Sequence, residues 1–131
     1  MTEERMPVWA RRRHRTVVAQ RVMGGIAEAM NAGDLHGIRA MLHPRARLVI
    51  DSGRLPAAPA PHGDARAAAE ALGALMRPGT TAAVRSVNGF PGLVLRREGR
   101  VVAVVVAEVR ARRLSRIWVV CNPDKLQDWN R

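Results

Sequence analysis

Tyrosine is absent from this chain, and other aromatic side chains are scarce: Phe90, Trp9, Trp118 and Trp129 are the whole set. Chemistry that needs a phenol is therefore excluded, and so is a platform of stacked rings for single-stranded nucleic acid. Val, Leu, Ala and Met must fill the core instead. A single cysteine, Cys121, rules out an intrachain disulfide, and its apolar strand setting reads as a core thiol. No apolar run approaches the roughly 18 residues that span a bilayer. None follows the first charges as a signal peptide would require, so a reducing, cytoplasmic setting is expected. His14, His36, His43 and His62 have no partners at metal-ligand spacing, and no metal is expected. A P-loop, a dinucleotide fingerprint and a nucleophile elbow are also missing, so no cofactor is expected.

Acidic residues are few as well: 11 against 22 basic ones, for a net charge of +11, with Lys125 the only base that is not arginine. Such a surplus favours polyanions. The arginines are scattered, however, and accompany no nucleic-acid-binding motif, so direct nucleic-acid binding is not expected. Their densest run, Arg11-Arg12-Arg13-His14-Arg15, reads as part of a flexible basic arm over residues 1–15. Residues 16–131 then form one domain, for which 131 residues and an apolar fraction of 47% suffice.

Val18, Val22, Ile26 and Met30, with Met23 and Ala27 beside them, make one helical stripe that ends at Asn31-Ala32-Gly33. Asp34 caps a short second helix whose inner side is Leu35, Ile38, Met41 and Leu42, closed by Pro44. Residues 45–51 read as a strand. Pro56, Pro59 and Pro61 make 53–63 an irregular loop. Asp64 caps a third helix with Ala68, Leu72, Leu75 and Met76 inward, ended by Pro78-Gly79.

The remainder alternates as sheet: strands over 80–87, 92–97, 101–109 and 114–121, with Glu98-Gly99 as a hairpin turn and Asn122-Pro123 as the stop. The run 101–109 is apolar on both faces until Glu108, as in an interior strand. Helices first and a mostly antiparallel sheet last predict an α+β fold with helices on one face; the other face must be covered or concave, and a strongly curved sheet wrapping a cavity meets that need.

Three strings stand out within this order: Ala32-Gly33-Asp34-Leu35, then Val87-Asn88-Gly89-Phe90-Pro91-Gly92-Leu93, then the closing Asn122-Pro123-Asp124-Lys125-Leu126. With Asp51-Ser52-Gly53 ahead of the proline-rich loop, they resemble the SnoaL-like branch of the nuclear transport factor 2 (NTF2) superfamily. The nearest resemblance is to the C-terminal extension of extracytoplasmic-function sigma factors. It implies a cone-shaped domain with an apolar pocket, and motif-bearing loops that help regulate attached sigma domains. Asn122, Pro123, Asp124 and Lys125 would then contact a protein partner. The helical promoter-binding domains of such a factor are not in these residues, so promoter recognition is not expected of this chain. The resemblance also suggests a homodimer paired through the sheet's outer face.

Enzymes resembling this fold place a carboxylate base in an apolar cavity, opposite donors for a developing enolate. Asp51 is the candidate base, on the strand face with Arg47 and Val49, or else a turn carboxylate. As a pocket base it would have a raised pKa unless an arginine such as Arg47 offsets the burial. Glu108 is a second pocket carboxylate, or the point where its strand face meets solvent. Trp118, Val104 and Val106 line the cavity or pack as core, and Asn88 is a ligand donor or a turn residue. Two functions follow: a small-molecule-binding or regulatory module, or a cofactor-independent cyclase or isomerase acting on an apolar carbonyl compound. The missing tyrosine favours the first.

Overall fold

The computed structural model describes residues 8–53 and 63–131. Residues 1–7 and most of the proline-rich loop lie outside them. Helix α1 (Val8–Asn31) carries the predicted stripe, with Val22, Met23, Ile26, Ala27 and Met30 buried. It starts well before that stripe. Helical backbone runs through Arg11 to Arg15, where the sequence suggested an arm, because good helix formers without a breaker let the helix propagate beyond its packed part. At its other end Gly33, at φ +65°, turns the chain, and the Asp34 N–H donates back to the Ala29 carbonyl at 2.9 Å.

Helix α2 (Leu35–Ala40) is capped by the Asp34 carboxylate, and α3 (Ala65–Ala74) by Asp64, which accepts the Ala67 N–H at 2.7 Å. With only six residues α2 buries one side chain, Ile38; Leu35, expected inside, is 47% exposed.

Five strands follow the order β1-β5-β4-β3-β2: β1 (Leu42–Asp51), β2 (Thr80–Val87), β3 (Phe90–Arg97), β4 (Arg100–Arg110) and β5 (Arg113–Val120). All neighbours are antiparallel except β1 and β5. The strand at the centre is β4, as its two apolar faces require. The first strand begins three residues earlier than expected, with an irregular register between Leu42 and Arg47. A bulge there accommodates Pro44, which has no N–H to give a ladder.

All three helices lie on one face. Met23, Ile26, Met30, Ile38 and Leu72 pack there against Leu48, Leu93, Leu95, Val105, Ile117 and Val119 in one continuous core. Two asparagines act as substitute strand edges. Asn31 exchanges hydrogen bonds with the backbone N–H and C=O of Ala82 (2.7 and 2.8 Å), tying the end of α1 to edge strand β2. Asn130 does the same to Val101 (2.7 and 3.0 Å).

The second contact corrects an expectation about the other face. After β5 the chain folds back as a 3-10 turn (Gln127–Asn130), and Leu126 and Trp129 cover Val87, Val94, Val101 and Val104. Part of that face is thus a second small core, where the sequence suggested a cavity.

Candidate functional site

Two of the sequence strings meet where β1 and β5 end. These strands are parallel neighbours, with Asp51 opposite Val120, and the Cys121 N–H donates to the Asp51 carbonyl at 2.9 Å. The chain then turns over itself: Asn122 Oδ1 accepts the Asp124 N–H at 3.1 Å, and the Asn122 carbonyl accepts the Lys125 N–H at 3.0 Å. This turn aims Lys125 back at β1, where its Nζ donates to Asp51 Oδ2 at 2.5 Å. The other carboxylate oxygen accepts the Gly53 N–H at 3.1 Å. Gly53 sits at φ +80°, and a Cβ there would come within 2.9 Å of Asn122 Oδ1, so glycine is required on both counts.

The Asp51 carboxylate is about one-third exposed and fully engaged. The Lys125 ammonium, aided by the Gly53 amide and Asn122, holds its pKa below the ordinary 3.8 despite an opposing effect of desolvation. The expected rise is therefore reversed, and the offsetting cation is Lys125 rather than Arg47. A carboxylate so depressed stabilises the folded state fully above about pH 4 and loses that contribution as pH falls through the folded pKa. In a carboxyl NMR titration Asp51 should titrate below 3.8, and in K125M its midpoint should move up towards that value. An unchanged midpoint in K125M would refute the pairing.

The parity read along β1 holds: Ala46 and Leu48 are buried against the helices, and Arg47, Val49 and Asp51 share the opposite face. Pairing across β1, β5 and β4 sets Val49, Trp118 and Val106 in one row, with Arg47, Arg116 and Glu108 in the next. Glu108 is exposed there, at the point where its strand face meets solvent. Trp118 is 38% exposed, whereas Val104 is 4% exposed beneath the C-terminal turn. Asn88 stands apart in the β2–β3 turn at φ 52°, a conformation asparagine tolerates.

Among the described residues, open grooves lie beside α2 and α3, at the junction of α1 with β2, and next to Phe90; none of these is lined by Asp51, Glu108, Trp118, Asn88, Val104 or Val106. Among the described residues no three His, Cys, Asp or Glu side chains are grouped to hold a metal ion. No helix among them is long and apolar enough to cross a membrane. The Asp51–Lys125 contact escaped sequence reasoning, although the lone lysine of an arginine-rich chain inside a recognisable string was an available signal.

No family model and no curated protein matches the sequence. Solved structures do match. The Mycobacterium tuberculosis extracytoplasmic function sigma factor SigJ shares 25% identity over 82% of this chain, with a TM-score of 0.60; the match spans 43% of that protein. IdmH of Streptomyces antibioticus, whose assignment as a polyketide cyclase is provisional, shares 18% identity over 82% of this chain and 94% of its own, at a TM-score of 0.55. An NTF2-like protein of unknown function from Mesorhizobium loti shares 16% over 81% and 92%, at 0.60.

Proposed function

From a chain that has the NTF2-like, SnoaL-like fold, we propose a non-catalytic regulatory module, akin to the extension of an extracytoplasmic-function sigma factor and acting through its motif loops in the cytoplasm. The observation that carries this reading is the clasp between Asp51 and Lys125. The best candidate base has its charge neutralised by Lys125 in a contact that joins two motif strings, and it lines none of the grooves described above among the described residues. A general base needs a free carboxylate beside its substrate, with donors where charge develops. Glu108 is solvent-exposed and tyrosine is absent, so neither supplies the missing part. The clasp leaves Pro123 and Asp124 exposed at its rim, where a protein partner could reach them.

A turnover assay tests this. The purified protein, presented with a panel of apolar ketones and epoxides, should convert none faster than a D51N/E108Q variant does. Turnover by the unaltered chain that this variant loses would favour the cyclase or isomerase reading instead.

The same reading includes a homodimer, paired through the open part of the outer sheet face. Trp118, Val49 and Val106 give that face an apolar centre. Glu108 and Arg116 are direct cross-strand neighbours, yet form no ion pair with each other. A two-fold axis through the patch would set the Glu108 of each copy against the Arg116 of the other, which makes a second copy the complementary occupant.

A further inference from the structure

On the opposite side of the molecule from the C-terminal turn's small core, α2, the start of β1, the start of α3 and the start of β5 enclose an open groove of about 590 Å³. Its floor is apolar, from Ala40, Leu42, Pro44 and Ala65, and its walls carry His36, Arg39, Arg66 and Arg113. The fold holds these cations in place. Asp34 caps α2 and fixes the helix on which His36 and Arg39 stand three residues apart, on one face. The Leu114 N–H donates to the Met41 carbonyl at 3.0 Å, which seats Arg113 beside the end of α2.

The charges in this groove do not cancel. Arg66 is paired with Glu70 at 3.3 Å, so it contributes little net charge. Asp64 is the one acid in the lining, and its carboxylate is turned onto the Ala67 N–H as the α3 cap. Arg39 and Arg113 have no hydrogen-bond or ion-pair partner among the described residues. Two free guanidinium groups over an apolar floor suit a ligand with an anionic head and a short apolar body. Guanidinium binds carboxylate or phosphate in a two-pronged fashion, and the volume lies within the roughly 300–1,000 Å³ of small-molecule sites. A net charge of +11 would draw such a ligand in.

We propose that the groove between α2, α3 and β5 binds a small amphipathic anion, a phosphate or carboxylate on an apolar body, through Arg39 and Arg113. This site is separate from the Asp51–Lys125 clasp and stands whether or not the regulatory reading does.

Calorimetric titration at low ionic strength tests it, with octyl phosphate, octanoate, inorganic phosphate and an acidic peptide as probes. At least one of the two amphiphiles should bind, and inorganic phosphate should bind about tenfold more weakly than octyl phosphate if phosphate is the preferred head. R39Q/R113Q should weaken the bound amphiphile about tenfold or more, whereas R100Q, at the distant start of β4, should change it less than about twofold. All the replaced side chains are exposed, so both variants should fold, which a far-UV spectrum checks. Preference for octyl phosphate assigns a phosphate head, and preference for octanoate a carboxylate. Three results would overturn the proposal: no binding of either amphiphile, equal losses in R39Q/R113Q and R100Q, or binding of the acidic peptide alone.

Discussion

A chain with alanine in place of Gly92 should be less stable by about 3 kcal/mol, a large loss for one added methyl group. Gly92 is the third residue of β3, buried just past the β2–β3 turn. A Cβ built there would stand 2.7 Å from the Val105 carbonyl oxygen and 2.8 Å from Val87 Cγ2. A flexible side chain could move aside, but the carbonyl belongs to central strand β4, beside the Leu93–Val105 pairing. Relief would have to come from parting β3 and β4 in the middle of the sheet. The neighbouring Gly89 supplies the contrast. It is exposed at φ 81° with nothing near its missing Cβ, so G89A should cost only about 1–2 kcal/mol, for the left-handed backbone alone. Urea unfolding of both variants measures the difference. Equal losses would mean that the Asn-Gly-x-Pro-Gly string serves only the turn, and that Gly92 has no steric role in the sheet.

Changing Trp118 to glutamate should leave the fold intact and weaken self-association about thirtyfold or more, the ~2 kcal/mol of an interface hot spot. Trp118 is 38% exposed and contributes little to the monomer core, so its removal should act on pairing rather than on folding. At the centre of a pairing face, tryptophan offers large apolar area at low conformational cost, and a carboxylate there would be desolvated without a partner. Charge reversal gives a second reading of the same face. E108R should weaken pairing by setting arginine against Arg116 of the other copy, and E108R/R116E should restore it. Sedimentation at micromolar concentration distinguishes these outcomes. The unaltered chain should run at twice its 14.4 kDa mass. A monomer under those conditions, or a W118E chain that still pairs as tightly, would rule out this face as the interface.

Much of the architecture was legible from short stretches of sequence, because it depends on short-range periodicity. The stripe from Val18 to Met30, the caps at Asp34 and Asp64, the four later strand windows and the inward parity of Ala46 and Leu48 each follow from residues within a few positions of one another. The doubly apolar run around Val104 also declared β4 an interior strand, since no polar side was left for water. The candidate site was legible only as a set of residues. Whether Asp51 is a pocket base or a clasped carboxylate turns on Lys125, 74 positions away, and on β1 lying parallel to β5. Nothing in the local pattern of either strand names its neighbour, because periodicity reports which face is buried and not what buries it. The same holds for Leu126 and Trp129, which close over a face that appeared to need a cavity. Gly92 shows it at the scale of a single atom: glycine there answers a carbonyl oxygen that only the register of β3 on β4 brings within reach.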